Sequence, residues 1–388
     1  MKKIYLDHNA TTPVNPLVLD AMLPYYKDIF GNASSVHEFG RSARNGIDQA
    51  RRQVAALLGA KDPDEVIFTG GGTEADNFAV KGVVDALKAK GNHIITTVIE
   101  HHAVLNTAKF LEKNGCSVTY LKVGPTGLVD LNELRDAITD KTVLISIMYA
   151  NNEVGTIEPI GRIAAVAKEK GVLLHTDAVQ AAGKTALNVI KDGVDLASIS
   201  AHKIYGPKGV GALYVRKGVK LTPLLHGGFH EKNRRAGTEN VAGIAGFGKA
   251  AELALQELPG ESARIGALRD RLQQGILGSI KHTYLNGDPR ERLCNTLNIS
   301  FEFLEGESII LNLDMEGIAV STGSACTSGS LEPSHVLTAM GVDTVKAQGS
   351  IRFSLGKENT AEDIDRVVTV LGPIIERLRK MSPLYHGH

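Results

Sequence analysis

Between residues 65 and 217 the chain alternates short, bulky, almost continuously apolar runs with longer helical patterns, and this alternation restricts the available folds more than any other feature. The runs are EVIFTG (65–70), HIITTVIE (93–100), SVTYLKV (117–123), TVLISIMYA (142–150), VLLHTDA (172–178), LASISA (196–201) and GALYVR (211–216). A strand with one wet face alternates polar and apolar residues, so runs without that alternation predict strands covered on both faces. Helical patterns at 73–90, 103–114, 131–139 and 160–170 separate most of them. Strand–helix alternation predicts an α/β fold with a mostly parallel sheet and right-handed crossovers. The last two runs are joined only by HKIYGPKGV, too short for a helical crossover. That pair is predicted antiparallel, which makes the seven-stranded sheet mixed.

After KLTPLLHGGFHEKNRRAGTEN (220–240) the character changes. Long helical patterns occupy 239–281, followed by NTLNISFE (295–302), SIRFSLG (350–356) and a helical pattern at 361–380. We expect a large domain at 13–256 and a smaller α+β domain built from 1–12 and 257–388.

In open α/β sheets, ligands bind beyond the carboxyl ends of the strands. Polar and titratable residues collect there: GGGTE after the first run, HH after the second, NNE after the fourth, Asp177 and Gln180 at the fifth, and SAHK at the sixth. In TGGGTEADN (69–77), glycines allow close backbone approach and Thr73 is a good helix cap, so free N–H groups could hold a phosphate. A plain turn and capped helix reads the same stretch equally well. It is not a Walker A loop, because no lysine follows the glycines at the required spacing. Asp177 ends an apolar strand, where a carboxylate needs a partner: a protonated ring nitrogen, or else an ordinary ion pair or helix cap. Lys203 taken alone is a solvated turn lysine. Beside a buried carboxylate and a phosphate site it becomes a candidate carbonyl-trapping amine. Phosphate cradle, carboxylate and amine on one sheet edge are what pyridoxal phosphate requires.

Lys+Arg and Asp+Glu number 43 each, so the balanced charge gives no sign of a nucleic-acid partner. Three scattered cysteines without a CxxC pattern point to a reducing compartment. The opening MKKIYLDHNATTP lacks the apolar core of a signal peptide, and no apolar run approaches the length of a membrane span. A cytoplasmic protein with no membrane partner is expected.

Asp…Gln followed by Ser-x-His-Lys resembles the fold-type I pyridoxal-phosphate enzymes of the cysteine desulfurase family, within the class-V aminotransferases. YLDHNATTP, FGNASSVHEFG, TEADN, EHHAVL, ANNEVG, HTDAVQ, SAHKIYGPKG, HGGFHEKNRRAGTEN, GSACTSGSLEPSHV and SIRFSLG extend the resemblance over the whole chain, nearest to the NifS/IscS group. His8, Gly72 and Ala201 depart from common family choices, and none removes a group the chemistry needs. The resemblance implies that Lys203 binds the cofactor covalently, Asp177 pairs with its ring nitrogen and Gln180 bonds its ring hydroxyl. His101 would stack on the ring and serve as acid or base. Gly72, Thr73, Ser200 and His202 would cradle the phosphate, and Thr238 would reach the phosphate of the neighbouring subunit in a homodimer. Asn152, beside the cofactor, and Arg352 would hold the carboxylate of L-cysteine, a role that suits a guanidinium. His101 alone also reads as a packed histidine, and Arg352 alone as a surface ion pair.

Cys326 in STGSACTSGS would attack the substrate sulfur and carry it as a persulfide to a scaffold or carrier protein for iron–sulfur assembly. Small residues on both sides predict a mobile, exposed loop for it. A lone cysteine is otherwise an inert apolar residue, the reading given to Cys116 and Cys294. No resident metal site is assigned; the resemblance adds only transient ligation of an iron–sulfur cluster by Cys326. Alternatives are a selenocysteine lyase, an aminotransferase, which has no use for Cys326, and a cofactor-bound scaffold without catalysis. His226 and His230 in HGGFHE are not expected to form a zinc site, since Gly-Gly between them opposes a helix. The terminal HGH (386–388) is expected to be a solvated tail.

Overall fold

The computed structural model describes residues 2–322 and 333–385. Among these the strands are β1 (Ile4–Tyr5), β2 (Val66–Thr69), β3 (His93–Thr97), β4 (Ser117–Leu121), β5 (Thr142–Ser146), β6 (Leu173–Asp177), β7 (Leu196–Ser200), β8 (Gly211–Val215), β9 (Thr283–Asn286), β10 (Thr296–Phe301), β11 (Ile318–Ala319) and β12 (Ser350–Ser354). A seven-stranded sheet has the order β2-β8-β7-β6-β5-β3-β4. β8 is antiparallel to both neighbours, β2 and β7, while the pairs among β7, β6, β5, β3 and β4 are parallel. The mixed sheet expected from the short HKIYGPKGV link is therefore present, and β8 is its one reversed strand.

Every residue of β2, β3, β5, β7 and β8 is buried, whereas β4, at the sheet edge, has four of five residues at least partly exposed. Helices Gly72–Ala86, His102–Lys113, Leu131–Ala137 and Ile160–Glu169 connect the strands. The path runs outward from β3 to β4, then returns to β5 and proceeds to β6. The switch point thus lies between β3 and β5, where an open α/β sheet leaves a crevice at its carboxyl edge. Helix Glu38–Leu58 packs on the same body and ends at Gly59, whose φ of 65° suits the left-handed cap that glycine adopts without strain.

A three-stranded antiparallel sheet, β12-β10-β9, and a parallel pair, β1-β11, form a second body. Its own apolar cluster includes Ile4, Leu6, Leu272, Ile299, Phe301, Phe353 and Leu371. Phe301 and Phe353 are fully buried, each removal from water stabilising by about 1.5–3 kcal/mol. Helix Val241–Ser279 serves both bodies: Ile244, Phe247 and Ala250 join the core of the large sheet, while Ile265, Leu268 and Leu272 join the other. Pro259 falls between the two sets, where the missing N–H interrupts the hydrogen-bond ladder. No helix among the described residues is long and apolar enough to cross a membrane.

Candidate active site

β2 delivers the chain into Gly70 and Gly71, and the helix beginning at Gly72 starts at the sheet edge. Gly71 caps that helix with φ 154° and brings no side chain to its first turn. A Cβ on Gly72 would lie 2.8 Å from Val179 Cγ2 and 3.5 Å from Ser200 Cβ. Glycine therefore lets the helix start close against the ends of β6 and β7. The first N–H groups of a helix have no intrahelical acceptor, so this end offers donors and positive dipole to an anion. Thr73 is exposed in the same turn. The Glu74 carboxylate beside it is occupied elsewhere: it accepts from the Gly70 N–H at 2.7 Å and pairs with Arg235 at 2.8 Å.

Asp177 is the last residue of β6 and is nearly buried. It accepts from the Val179 N–H at 2.9 Å. Burial pushes its carboxyl above the usual carboxylate range, while His101, the Val179 bond and Lys203 pull it back. Lys203 follows on a short 3-10 turn, Ala201–Lys203, directly after β7. Its Nζ donates to the carbonyls of Asn9 at 2.5 Å and Ala10 at 2.8 Å. Tyr205 in the same turn adopts φ 64°, a left-handed conformation costly for a side chain with a Cβ. It is held by Thr12 Oγ1 on its N–H at 2.8 Å and by the Lys357 N–H donating to its hydroxyl at 2.7 Å.

His101, after β3, caps helix His102–Lys113, and its Nδ1 accepts from the Ala103 N–H at 3.1 Å. The neutral ring therefore carries its proton on Nε2. Gln180 donates from Nε2 to the Asn9 carbonyl at 3.0 Å. Ser200 ends β7 and is nearly buried. His202 Nδ1 lies 3.2 Å from Thr11 Oγ1, and burial, with Lys203 next in effect, lowers it to about 4.

Arg352, on β12, is buried, with Nη2 on Asp7 Oδ1 at 2.9 Å and Nη1 on the Asn152 carbonyl at 3.0 Å. Its Nε has no hydrogen-bond partner. Asn152, after β5, is half-buried. The second body thus sends one guanidinium to the edge of the large sheet. Thr238 is exposed in the segment before helix Val241–Ser279. Upstream of it, Glu231, Lys232 and Asn233 all take positive φ. That left-handed run is anchored by a buried bidentate pair, Glu231 with Arg51, at 2.6 and 2.7 Å, and by the Phe68 N–H on Glu231 at 2.9 Å. Cys326 and the 386–388 tail lie outside the described residues. Cys116 and Cys294 are both partly buried, and burial raises both thiols. His226 and His230 are not on a helix, and among the described residues no cluster of three or more His, Cys, Asp or Glu side chains could hold a metal.

Three contributors carried no sequence signal of their own. Asn9 is the hub: besides receiving Lys203 and Gln180, it donates to the Asn152 carbonyl at 3.2 Å and Thr296 Oγ1 at 2.9 Å, and accepts from Asn295 at 2.9 Å. YLDHNATTP contains it, yet nothing in the motif tells which side chain turns inward. Asp76 is buried on the helix starting at Gly72, with its Oδ1 3.7 Å from His175 Nε2. Burial first and the Asp177 charge second raise Asp76 well above the carboxylate range. His175, two residues before Asp177 on the same strand face, touches Ser146 Oγ at 2.8 Å and Ser198 Oγ at 3.0 Å. Burial lowers it to about 3, so it stays neutral. His8 is buried against Gly356, where any Cβ would meet its Nε2, and it bonds the Ser354 carbonyl at 3.0 Å. Its departure from family habit is thus absorbed by this packing.

The aminotransferase class-V family model matches residues 4–367. A cysteine desulfurase IscS of Dictyoglomus turgidum is 56% identical over 382 residues, covering 98% of this chain and 97% of that protein. Another from Methanosarcina thermophila is 55% identical, covering 99% and 94%. Among solved structures, a NifS-like protein superposes with a TM-score of 0.91 at 41% identity, covering 97% of this chain and all of the other. Matched from Ile4 to Val367 and nearly end to end by such relatives, the chain belongs to the class-V aminotransferase family.

Proposed function

We propose that the protein is a pyridoxal-phosphate-dependent cysteine desulfurase, and the observation that carries this reading is that His101 and Lys203 both act on the buried Asp177 carboxyl beside a helix start with no side-chain cap. The groups fit that cofactor. The helix end at Gly72 and Thr73, with Ser200 and His202, would hold the phosphate. Asp177, whose buried carboxylate lacks a cationic hydrogen-bond partner among the described residues, would hold the ring-nitrogen proton. Lys203 would bind the aldehyde, and Gln180 the ring hydroxyl. When bound, the cofactor supplies an electron sink next to the substrate nitrogen.

The chain's own groups do the rest. Arg352 and Asn152 grip the L-cysteine carboxylate, with Asp7 giving up Arg352 Nη2 to it. The Lys203 amine removes the α-proton, and His101 moves protons through Nε2. The Cys326 thiolate attacks the substrate sulfur: an S–S bond forms, the C–S bond breaks, and its electron pair is captured by a proton on carbon. L-cysteine plus the thiol give L-alanine plus the Cys326 persulfide. A scaffold or carrier protein for iron–sulfur assembly then accepts the sulfur.

A homodimer belongs to the same reading, with Thr238 reaching the phosphate bound in the neighbouring subunit. The exposed Phe229 and the anchored left-handed turn in that segment support an exchange surface. The division into domains 13–256 and 1–12 with 257–388 is part of the same reading; the cluster of Ile4, Leu272, Phe301 and Phe353, drawn only from residues 4–6 and 265–375, supports it. The scattered cysteines support a cytoplasmic setting.

The test is the Cys326→Ser variant. A hydroxyl ionises far less readily than a thiol. The variant should bind cofactor and cysteine normally yet lose alanine and sulfide production by several orders of magnitude. Cys116→Ser and Cys294→Ser should retain most activity. Parental turnover in Cys326→Ser, or added sulfur mapping to another cysteine by mass spectrometry, overturns the reading.

A further inference from the structure

Lys184 lies four residues beyond Gln180, and the mechanism above does not use it. Its Nζ donates to Gln180 Oε1 at 2.8 Å, while Gln180 Nε2 donates at 3.0 Å to the Asn9 carbonyl that also receives Lys203 at 2.5 Å. The Asn9 carbonyl fixes this amide's orientation. A carbonyl only accepts, so the atom facing Asn9 is the nitrogen, which leaves the oxygen facing Lys184. The Gln180 NH2 is thereby turned to the carbonyl that Lys203 shares.

Lys184 opens on a cavity of about 40 Å³ lined also by His8, Lys203, Glu257, Glu261, Cys294 and Lys357. Burial pushes its ammonium down to about 7, with Lys203 adding, Cys294 opposing and Arg352 adding least. Lys184 is half-buried, and its Nζ is committed to one amide oxygen.

We propose that Lys184 is a positioning residue of the Lys203 site: by holding Gln180 Oε1 it keeps the Gln180 NH2 presented as a donor to the cofactor's ring oxygen. The proposal rests on the cofactor reading above. A donor on that oxygen favours its deprotonated form, so losing the donor raises the pH midpoint of the visible absorbance of the bound cofactor. Removing the Lys184 charge would shift the midpoint in the same direction without Gln180, so the two routes must be separated by a double-mutant cycle.

The experiment titrates that absorbance in the holoenzyme dimer for the parent, Lys184→Met, Gln180→Ala and the double variant, with cofactor content and melting temperature recorded for each. Lys184→Met and Gln180→Ala are each expected to raise the midpoint by roughly one pH unit. The double variant should match Gln180→Ala alone. Additive shifts, or a parental midpoint in Lys184→Met, overturn the proposal. If the methionine variant does not fold, Lys184→Gln, uncharged and of similar reach, runs the same cycle with the same two outcomes. A parent that takes up no cofactor overturns the underlying reading instead, and so the two failures are distinguishable.

Discussion

The two sheets bury polar side chains on opposite terms. In the three-stranded sheet, Asn286, Asn298 and Ser300 lie inside β9 and β10 and satisfy one another: Asn286 donates to Asn298 Oδ1 and Ser300 Oγ, both at 2.8 Å, and Asn298 donates to the Glu153 carbonyl at 3.2 Å. Around the seven-stranded sheet, Asp76 Oδ1, Glu100 Oε2 and Thr176 Oγ1 are buried without a hydrogen bond. A closed polar ladder rigidifies its sheet and specifies register. Open valences near strand ends cost stability and persist where titratable chemistry needs them. The contrast separates polar side chains closed on one another from those with a valence to spare. Arg352 is the informative exception: it sits on the ladder side, yet its Nε is unsatisfied and its fork points to the other body's edge.

The sharpest way to break the comparison is Lys203→Ala. It should cut cysteine-dependent alanine formation by at least about 10³-fold and abolish borohydride-fixable cofactor, while the melting temperature shifts little. Retention of a substantial share of turnover would place the chemistry elsewhere. Next, Arg352→Ala should lower kcat/KM by roughly 10²-fold, mostly through KM, because a fork made for a carboxylate is lost. An unchanged KM would return Arg352 to the structural ladder. Asn298→Ala tests that ladder itself. It should cost about 1–3 kcal/mol of stability from orphaned partners, read by denaturant unfolding, with kcat/KM per loaded chain unchanged.

Much of this was legible beforehand, and the gaps have physical causes. All seven strands of the large sheet were found from unbroken apolar runs. Their predicted ends overshot because burial outlasts the ladder: Ile147, Met148, Tyr149 and Ala150 stay buried after β5 ends at Ser146. Helix Glu38–Leu58 went unassigned, and β1 and β11 are two-residue strands, too short for periodicity to register. Lys203 and Asp177 could be picked out because a charge at the end of an apolar strand is itself anomalous. Asn9, Asp7 and Lys184 could not, since their meaning comes from partners on other elements: Asp7 meets Arg352, 345 positions away.

The smallest effect concerns pH. Glu100 accepts from Thr97 Oγ1 at 2.8 Å and the Met148 N–H at 2.9 Å, and burial raises its carboxyl to about 8 from an ordinary 4.5. The folded chain then holds a proton that the unfolded chain has released. This contribution is full below 4.5 and is lost as pH rises through about 8. Glu100→Gln, a permanently neutral mimic, should flatten the decline in unfolding free energy between pH 6 and pH 9, by an amount on the order of 1 kcal/mol, read by denaturant unfolding at each pH. An equal decline in both proteins would assign it to another group, with Glu158, likewise raised to about 8 by burial, next in line.

The first few residues of the chain close the site last. β1 pairs with β11, Asp7 with Arg352, and Asn9 with Asn295 and Thr296. Synthesis runs the other way, so the large sheet can be complete on the ribosome while the segment that receives Lys203 and Gln180 still lacks its distant anchors. Closing a loop of more than 300 residues also carries a high entropic toll that only the finished second body can offset. Lys203 itself is held by the Asn9 and Ala10 carbonyls, so its placement depends on the same segment as the Arg352–Asp7 pair. Residues 4–9 and residues 295, 318–319 and 352 therefore lock the site jointly, across more than 300 positions of sequence.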